Sequence, residues 1–190
     1  MISNMLLHAW VSVKNPKEGA AIVLNLAPSW RVLLEMAALV IVLNVFLTQA
    51  FALVTPSPPS GSLLATLEAP LPSLLIHAAL LAIVVVATFG IGRIMGGSGS
   101  LEETFLILVW LQFLMLVANF LQIVVALIWS PLGLFAALLS SVLFLWLFVN
   151  FVLVLHGFRS ALKVLLASIA SFFAMIFLIA VSVSFFGFMV

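Results

Sequence analysis

Cysteine is absent from the 190-residue chain, which excludes disulfides, thiolate metal ligands, cysteine nucleophiles and cysteine-linked lipids. The redox argument therefore leaves the folding compartment open. Charge is almost as scarce. Six Lys and Arg and five Asp and Glu amount to 6% of the residues, where a soluble domain carries about a quarter. Hydrophobic residues reach 67% and mean hydropathy is +1.49, the composition of an integral membrane protein. A net charge of +1 offers no dense basic face, which argues against a nucleic-acid partner. Met1 to Trp30 lacks a basic start followed by an apolar core and a small-residue cleavage site, so no signal peptide is expected to be removed. The first span is expected to act as the targeting signal.

What the chain does contain is apolar runs. A spanning helix takes about 20 apolar residues at about 1.5 Å rise, and runs of that length fall near 31–54, 72–94, 104–128, 132–156 and 160–187. The expected fold class is thus all-α, a bundle of five membrane spans (31–190) behind an N-terminal interfacial amphipathic segment (1–30). Breakers separate the runs. Thr55-Pro56-Ser57-Pro58-Pro59-Ser60-Gly61 opens the first loop, and Pro70 and Pro72 close it. Gly96-Gly97-Ser98-Gly99 marks the second, expected to be a tight hinge. Ser130-Pro131 makes the third, and His156-Gly157-Phe158 the fourth.

Lys14, Lys17 and Arg31 precede the first run, Arg93 ends the second, and Arg159 and Lys163 separate the fourth from the fifth. None lies in 55–71 or 129–131. Because short cytoplasmic loops hold the positive residues, the N-terminus is expected inside and the C-terminus outside. Residues 5–27 mix Leu6, Leu7, Trp10, Val11, Ile22, Val23 and Leu26 with Lys14, Lys17 and Glu18. They read as helix in the interface, split at Asn15-Pro16, with Trp10 and Trp30 at headgroup depth.

Several of these features together resemble the Ypt-interacting protein (YIP) family in its short prokaryotic form. They are the lead with its Asn15-Pro16 start, the five runs, and Gly96-Gly97-Ser98-Gly99-Ser100-Leu101-Glu102-Glu103-Thr104-Phe105 before the third. The fourth loop adds Trp146, Asn150 and Leu155-His156-Gly157-Phe158-Arg159-Ser160-Ala161-Leu162-Lys163. The chain differs from the family pattern at Gln112-Phe113, where a proline is absent, and in having no long polar N-terminal region. The resemblance implies a small membrane scaffold, whose eukaryotic relatives bind prenylated Rab-type GTPases and help shape or sort transport membranes.

Polar residues inside the runs are the candidate sites. Gln112, Asn119 and Gln122 fall within about 80° of one another at about 100° per residue, a stripe that must face protein or water. Gln112 and Asn150 lie at similar depth and are expected to approach each other. Interhelical hydrogen bonding and a lined cavity or path are both open readings. Asn44, Gln49 and His77 could join in the outer half. Glu35 follows Arg31 by one turn, either an interfacial pair or a proton or cation site inside the bundle. Ser100-x-x-Glu103 has capping-box spacing. Arg93, Glu102, Glu103, Arg159 and Lys163 share one face, the candidate docking surface for a protein or an anionic lipid headgroup.

His8, His77 and His156 lie in separate segments without a second ligand at helical spacing, and a metal site needs several convergent donors. His156 is expected at the interface. No serine sits in a nucleophile elbow and no carboxylates pair at membrane depth, so neither an enzyme activity nor a cofactor is expected. Pairs such as Ala136–Ser140, Ala137–Ser141 and Ala167–Ser171 suit close packing of the fourth and fifth spans, while Phe185-Phe186-Gly187-Phe188 suits lipid or a partner helix. The expected role is a non-enzymatic scaffold or accessory subunit that binds another integral membrane protein, with a homo-oligomer left open. The alternative is a small channel or transporter for a polar or amphipathic solute lined by Gln112, Asn119, Gln122 and Asn150. Short loops and the lack of Tyr and Cys suit a bacterial inner membrane.

Overall fold

Proline starts and glycine stops set most helix boundaries in the computed structural model, which describes residues 2–52, 67 and 69–187. The helices are α1 (Ile2–Lys14), α2 (Pro16–Leu24), α3 (Trp30–Ala52), α4 (Pro70–Ile94), α5 (Leu101–Ile128), α6 (Ser130–His156) and α7 (Ala161–Gly187). Proline occupies the first turn of α2, α4 and α6, where a missing amide costs nothing. The expected loop Thr55 to Gly61 lies outside the described residues, as do the side chains of Phe185, Phe186 and Phe188. Among the described residues there is no strand. Among the described residues four helices are long and apolar enough to cross a membrane: Trp30–Ala52, Pro70–Ile94, Leu101–Ile128 and Pro131–His156. Helix α7 is apolar over Ala161–Ala174.

The bundle is built around α5. It packs against α2, α3, α4 and α6, with α6 its largest neighbour. Leu106, Ile107, Leu108, Val109, Trp110 and Leu111 are consecutive and all buried, as a helix enclosed on every side requires. Leu33, Ala37 and Val40 of α3, Leu81 and Val85 of α4, and Leu147 and Phe151 of α6 close around them. At the far end α5 turns into α6 through Trp129 alone, whose amide donates to the Val125 carbonyl at 3.1 Å. Gly133 permits this tight hairpin, since a Cβ there would lie 2.5 Å from the Ala126 Cβ.

The N-terminal segment departs from the sequence expectation. It does split at Asn15-Pro16, but the Asn15 side chain donates to Glu18 at 2.9 Å instead of capping a backbone amide. Helix α2 is part of the core: Ala20 and Val23 are fully buried against α5 and α6. Helix α1 folds back on α2 so closely that a Cβ on Gly19 would sit 2.4 Å from the Ser12 Cα. The buried Ser12 hydroxyl accepts a hydrogen bond from Trp110 Nε1 at 3.0 Å. Short apolar residues at 20 and 23 on one helical face carried this signal, and the nearby charges Lys17 and Glu18 obscured it.

Among the described residues helix α7 makes its substantial contacts with α6. Their contact centres on Val149, Val152 and Val164, with Phe148, Leu153, Phe158 and Leu165 around them, near the connecting turn. The hydroxyls of Ser141, Ser168 and Ser171 donate to carbonyls one turn back in their own helices. They therefore do not cross between helices.

The Ser12–Trp110 bond ties the N-terminal segment to the centre of the bundle. Replacing Trp110 with Phe keeps an aromatic ring but strands the Ser12 hydroxyl, and is expected to cost about 1 kcal/mol. Thermal unfolding in mild detergent measures it, and adding Ser12→Ala to the Phe variant is expected to recover part of the loss.

Candidate functional site

Three helix ends meet at one end of the bundle. Helix α4 stops at Gly96 (φ +86°), with the Gly97 amide donating to the Gly92 carbonyl at 2.8 Å. Helix α6 stops in the same way at Gly157 (φ +69°), with the Phe158 amide donating to the Leu153 carbonyl at 2.9 Å. Both are left-handed glycine caps that satisfy the last carbonyls of a helix. The Ser98 amide joins the two stops by donating to the His156 carbonyl at 3.3 Å. Helix α5 begins next to them with a complete capping box. The Ser100 hydroxyl accepts from the Glu103 amide at 3.1 Å, and Glu103 Oε2 accepts from the Ser100 amide at 2.7 Å. Trp30 at the start of α3 meets Phe105 in a tilted ring contact, centroids 5.3 Å apart, so α3 begins at this end as well.

Arg93, Glu102, Glu103, Arg159 and Lys163 are all exposed here. Arg93 donates to the Gly97 carbonyl at 3.3 Å and Glu103 serves the cap. Among the described residues none of the five forms an ion pair. Arg31 pairs with Glu35 at 2.9 Å, both largely exposed, as an interfacial i,i+4 pair would be.

His156 was expected at the interface and is instead buried, with 2% of its surface exposed. Its ring fills a socket walled by glycines. A Cβ on Gly92 would lie 2.1 Å from Nε2, one on Gly97 2.6 Å from Nδ1, and one on Gly99 3.0 Å from Nδ1. Phe158 covers the ring at 5.4 Å. Among the described residues neither ring nitrogen makes a well-formed hydrogen bond, the Thr88 backbone offering the ring only a weak one, and a buried polar group left short of partners costs about 1–3 kcal/mol. The Gly-rich linker thus serves as a close-fitting wall for an aromatic side chain. Glycine at 92, 97 and 99 was the available signal, since each removes a side chain facing the same point.

The polar stripe divides. Asn119 and Gln122 do come together, and with Asn44, Leu47, Thr48, Phe51 and Ile123 they line a partly open cavity of about 160 Å³ between α3 and α5. Asn44 was expected there; Thr48, one turn beyond it, was missed. Gln112 lies apart in a cavity of about 270 Å³ lined otherwise by Leu81, Val84, Leu108, Leu111, Met115 and Phe144. Asn150 donates to the Trp146 carbonyl of its own helix at 2.8 Å, so the expected approach to Gln112 is not made as a hydrogen bond. His77 likewise pairs with the Ser73 carbonyl at 2.8 Å in its own helix. Local bonds of this kind compete with interhelical ones. Among the described residues no group of His, Asp and Glu could hold a metal ion.

Comparison with known families decides the assignment, because the Yip1 domain model matches residues 11–182. The chain belongs to the Yip1 family. No curated protein and no solved structure matches it. With its long apolar helices, this Yip1-family chain is an integral membrane protein. The matched stretch includes α5, both glycine-capped helix ends and the His156 socket.

A methyl group at residue 92 has nowhere to go, since the imidazole is walled on its other sides too. Gly92→Ala is expected to cost this Yip1-family protein about 1–3 kcal/mol. Gly90→Ala, two residues earlier with nothing within 4 Å, is expected to be neutral or to gain up to about 1 kcal/mol from helix propensity. Thermal unfolding of the two variants in mild detergent or nanodiscs gives the comparison.

Proposed function

We propose that the chain crosses the membrane five times with its basic end in the cytoplasm, and acts as a non-enzymatic scaffold or accessory subunit for another integral membrane protein. In this reading α7 is the fifth span, the N-terminus is cytoplasmic and the C-terminus lies outside, in a bacterial inner membrane. Arg31, Arg93, Arg159 and Lys163 at one end support that orientation through the positive-inside rule. The outward Met5, Leu6, Leu7 and Trp10 of α1 suit a helix lying in the interface, with α2 tucked beneath the bundle and residues 31–190 forming the membrane domain.

The observation that carries the scaffold reading is the close apolar packing of the basic half. Leu33, Ala37 and Val40, Leu106 to Leu111, Leu147 and Phe151 close around one another there, and the polar stripe begins only beyond them. A solute path from Asn119 and Gln122 to the basic end would have to cross that layer, which weighs against a channel. Facing outward are the charged set Arg93, Glu102, Glu103, Arg159 and Lys163 and apolar faces of several helices, α6 and α7 among them. Leu134, Leu138 and Val142 on α6 and Leu162, Phe173 and Phe177 on α7 are all more than half exposed. The charged set suits anionic lipid headgroups or a partner's cytoplasmic segment. The apolar faces suit a partner helix or a second copy.

Purification of the tagged chain in native nanodiscs, with mass spectrometry of everything bound, tests the role. A stoichiometric integral membrane partner is expected; the chain alone, or only copies of itself, would overturn the accessory-subunit reading. Phosphatidylglycerol retention is expected to fall about fivefold for each of Arg93, Arg159 and Lys163 replaced by Gln.

A further inference from the structure

The cavity between α3 and α5 has a composition that none of the roles above uses. Asn44 and Thr48 lie roughly 21 and 27 Å along α3 from Trp30, and Asn119 and Gln122 roughly 27 and 32 Å along α5 from Leu101, at about 1.5 Å per residue. All four therefore sit at matching levels in the half of the bundle away from the basic end. Two of them are partly occupied within their own helix: Asn44 Nδ2 donates to the Val40 carbonyl at 2.9 Å, and Thr48 Oγ1 to the Asn44 carbonyl at 3.0 Å. Asn119 and Gln122 have no hydrogen-bond partner among the described residues. Two amides in the hydrocarbon region with donors and acceptors unspent raise the free energy of the empty cavity.

The chemistry of an occupant follows from three features. No lining residue is charged, so a phosphate or an ammonium group would be desolvated without a counter-charge. Asn, Gln and Thr together present both donors and acceptors, which suits a hydroxyl, a group that does both. The volume, about 160 Å³, is about five times the share of one water in the liquid, which matches a glycerol-sized head. Between these polar groups the lining is apolar, supplied by Leu47, Phe51 and Ile123. We propose that this cavity binds the uncharged, hydroxyl-bearing head of a neutral lipid of the diacylglycerol class, with the acyl chains leaving past Leu47, Phe51 and Ile123 into the surrounding bilayer. The site is independent of any protein partner and lies at the opposite end from the charged surface.

The test uses the full-length chain in phosphatidylcholine nanodiscs containing either dioleoylglycerol or its 3-acetyl ester, which lacks the hydroxyl. Native mass spectrometry counts the lipid retained. One dioleoylglycerol per chain is expected on the wild type, with the acetyl ester not retained. Asn119→Leu combined with Gln122→Leu is expected to retain roughly tenfold less, at about 0.6 kcal/mol or more for each bond lost. Thr48→Val, an isosteric change that leaves both amides in place, is expected to show a smaller loss and serves if the double variant does not fold. Equal retention on wild type and variants, or equal retention of the ester, would overturn the proposal. So would a wild-type dimer that the double variant abolishes, because the amides would then belong to a contact between two copies.

Discussion

Enclosure of α5 on all sides over Leu106 to Leu111 is the constraint on which the rest of this fold depends. Between helices in a bilayer there is no hydrophobic driving force of the kind that collapses a soluble core, so association relies on close packing and satisfied polar groups. A helix buried all round must have neighbours of the right shape on every flank. Helices α3, α4 and α6 supply three of them. The fourth is α2, a short helix too polar to span and drawn in by Ala20, Val23 and the Ser12–Trp110 bond. The N-terminal segment is therefore structural, and the closely packed apolar layer it completes lies between Asn119 and Gln122 and the basic end.

The basic end is held by a second device. Two glycine-capped helix stops, one ending α4 and one ending α6, are joined through Ser98 and share the His156 ring. The imidazole is a space-filling group here, at the cost of two buried ring nitrogens without a well-formed hydrogen bond. A flat side chain lets the α4–α5 linker approach the end of α6 more closely than Leu or Met would, while Gly157 turns the chain sharply enough to begin α7. The charged residues around this cluster are exposed, with Glu103 committed to the capping box and Arg93 to the Gly97 carbonyl.

Much of the helical layout was legible from the sequence. Apolar runs located α3 to α7 to within a few residues, prolines marked three starts, and glycines two stops. The capping box at Ser100 and the Arg31–Glu35 pair follow from spacing alone. What could not be read was which polar residues would meet. Angular position on α5 grouped Gln112 with Asn119 and Gln122, but neighbours decide the outcome. Gln112 faces Leu81, Met115 and Phe144, whereas the other two face Asn44 and Thr48. Asn150 was lost to a bond with its own helix. The His156 socket escaped because it depends on glycines from two elements that only the fold brings together.

The measurement that tests this account most directly is cysteine scanning of α5 in membranes, which the absence of native cysteine makes simple. Single cysteines at Ile107, Val109 and Leu111 are predicted to resist a water-soluble thiol reagent applied from either side, with Glu102 reacting readily from the basic side. Reaction at Ile107 or Leu111 in folded protein would mean that water reaches the centre of the bundle. The dry layer, and the separation of the two halves built on it, would then be contradicted.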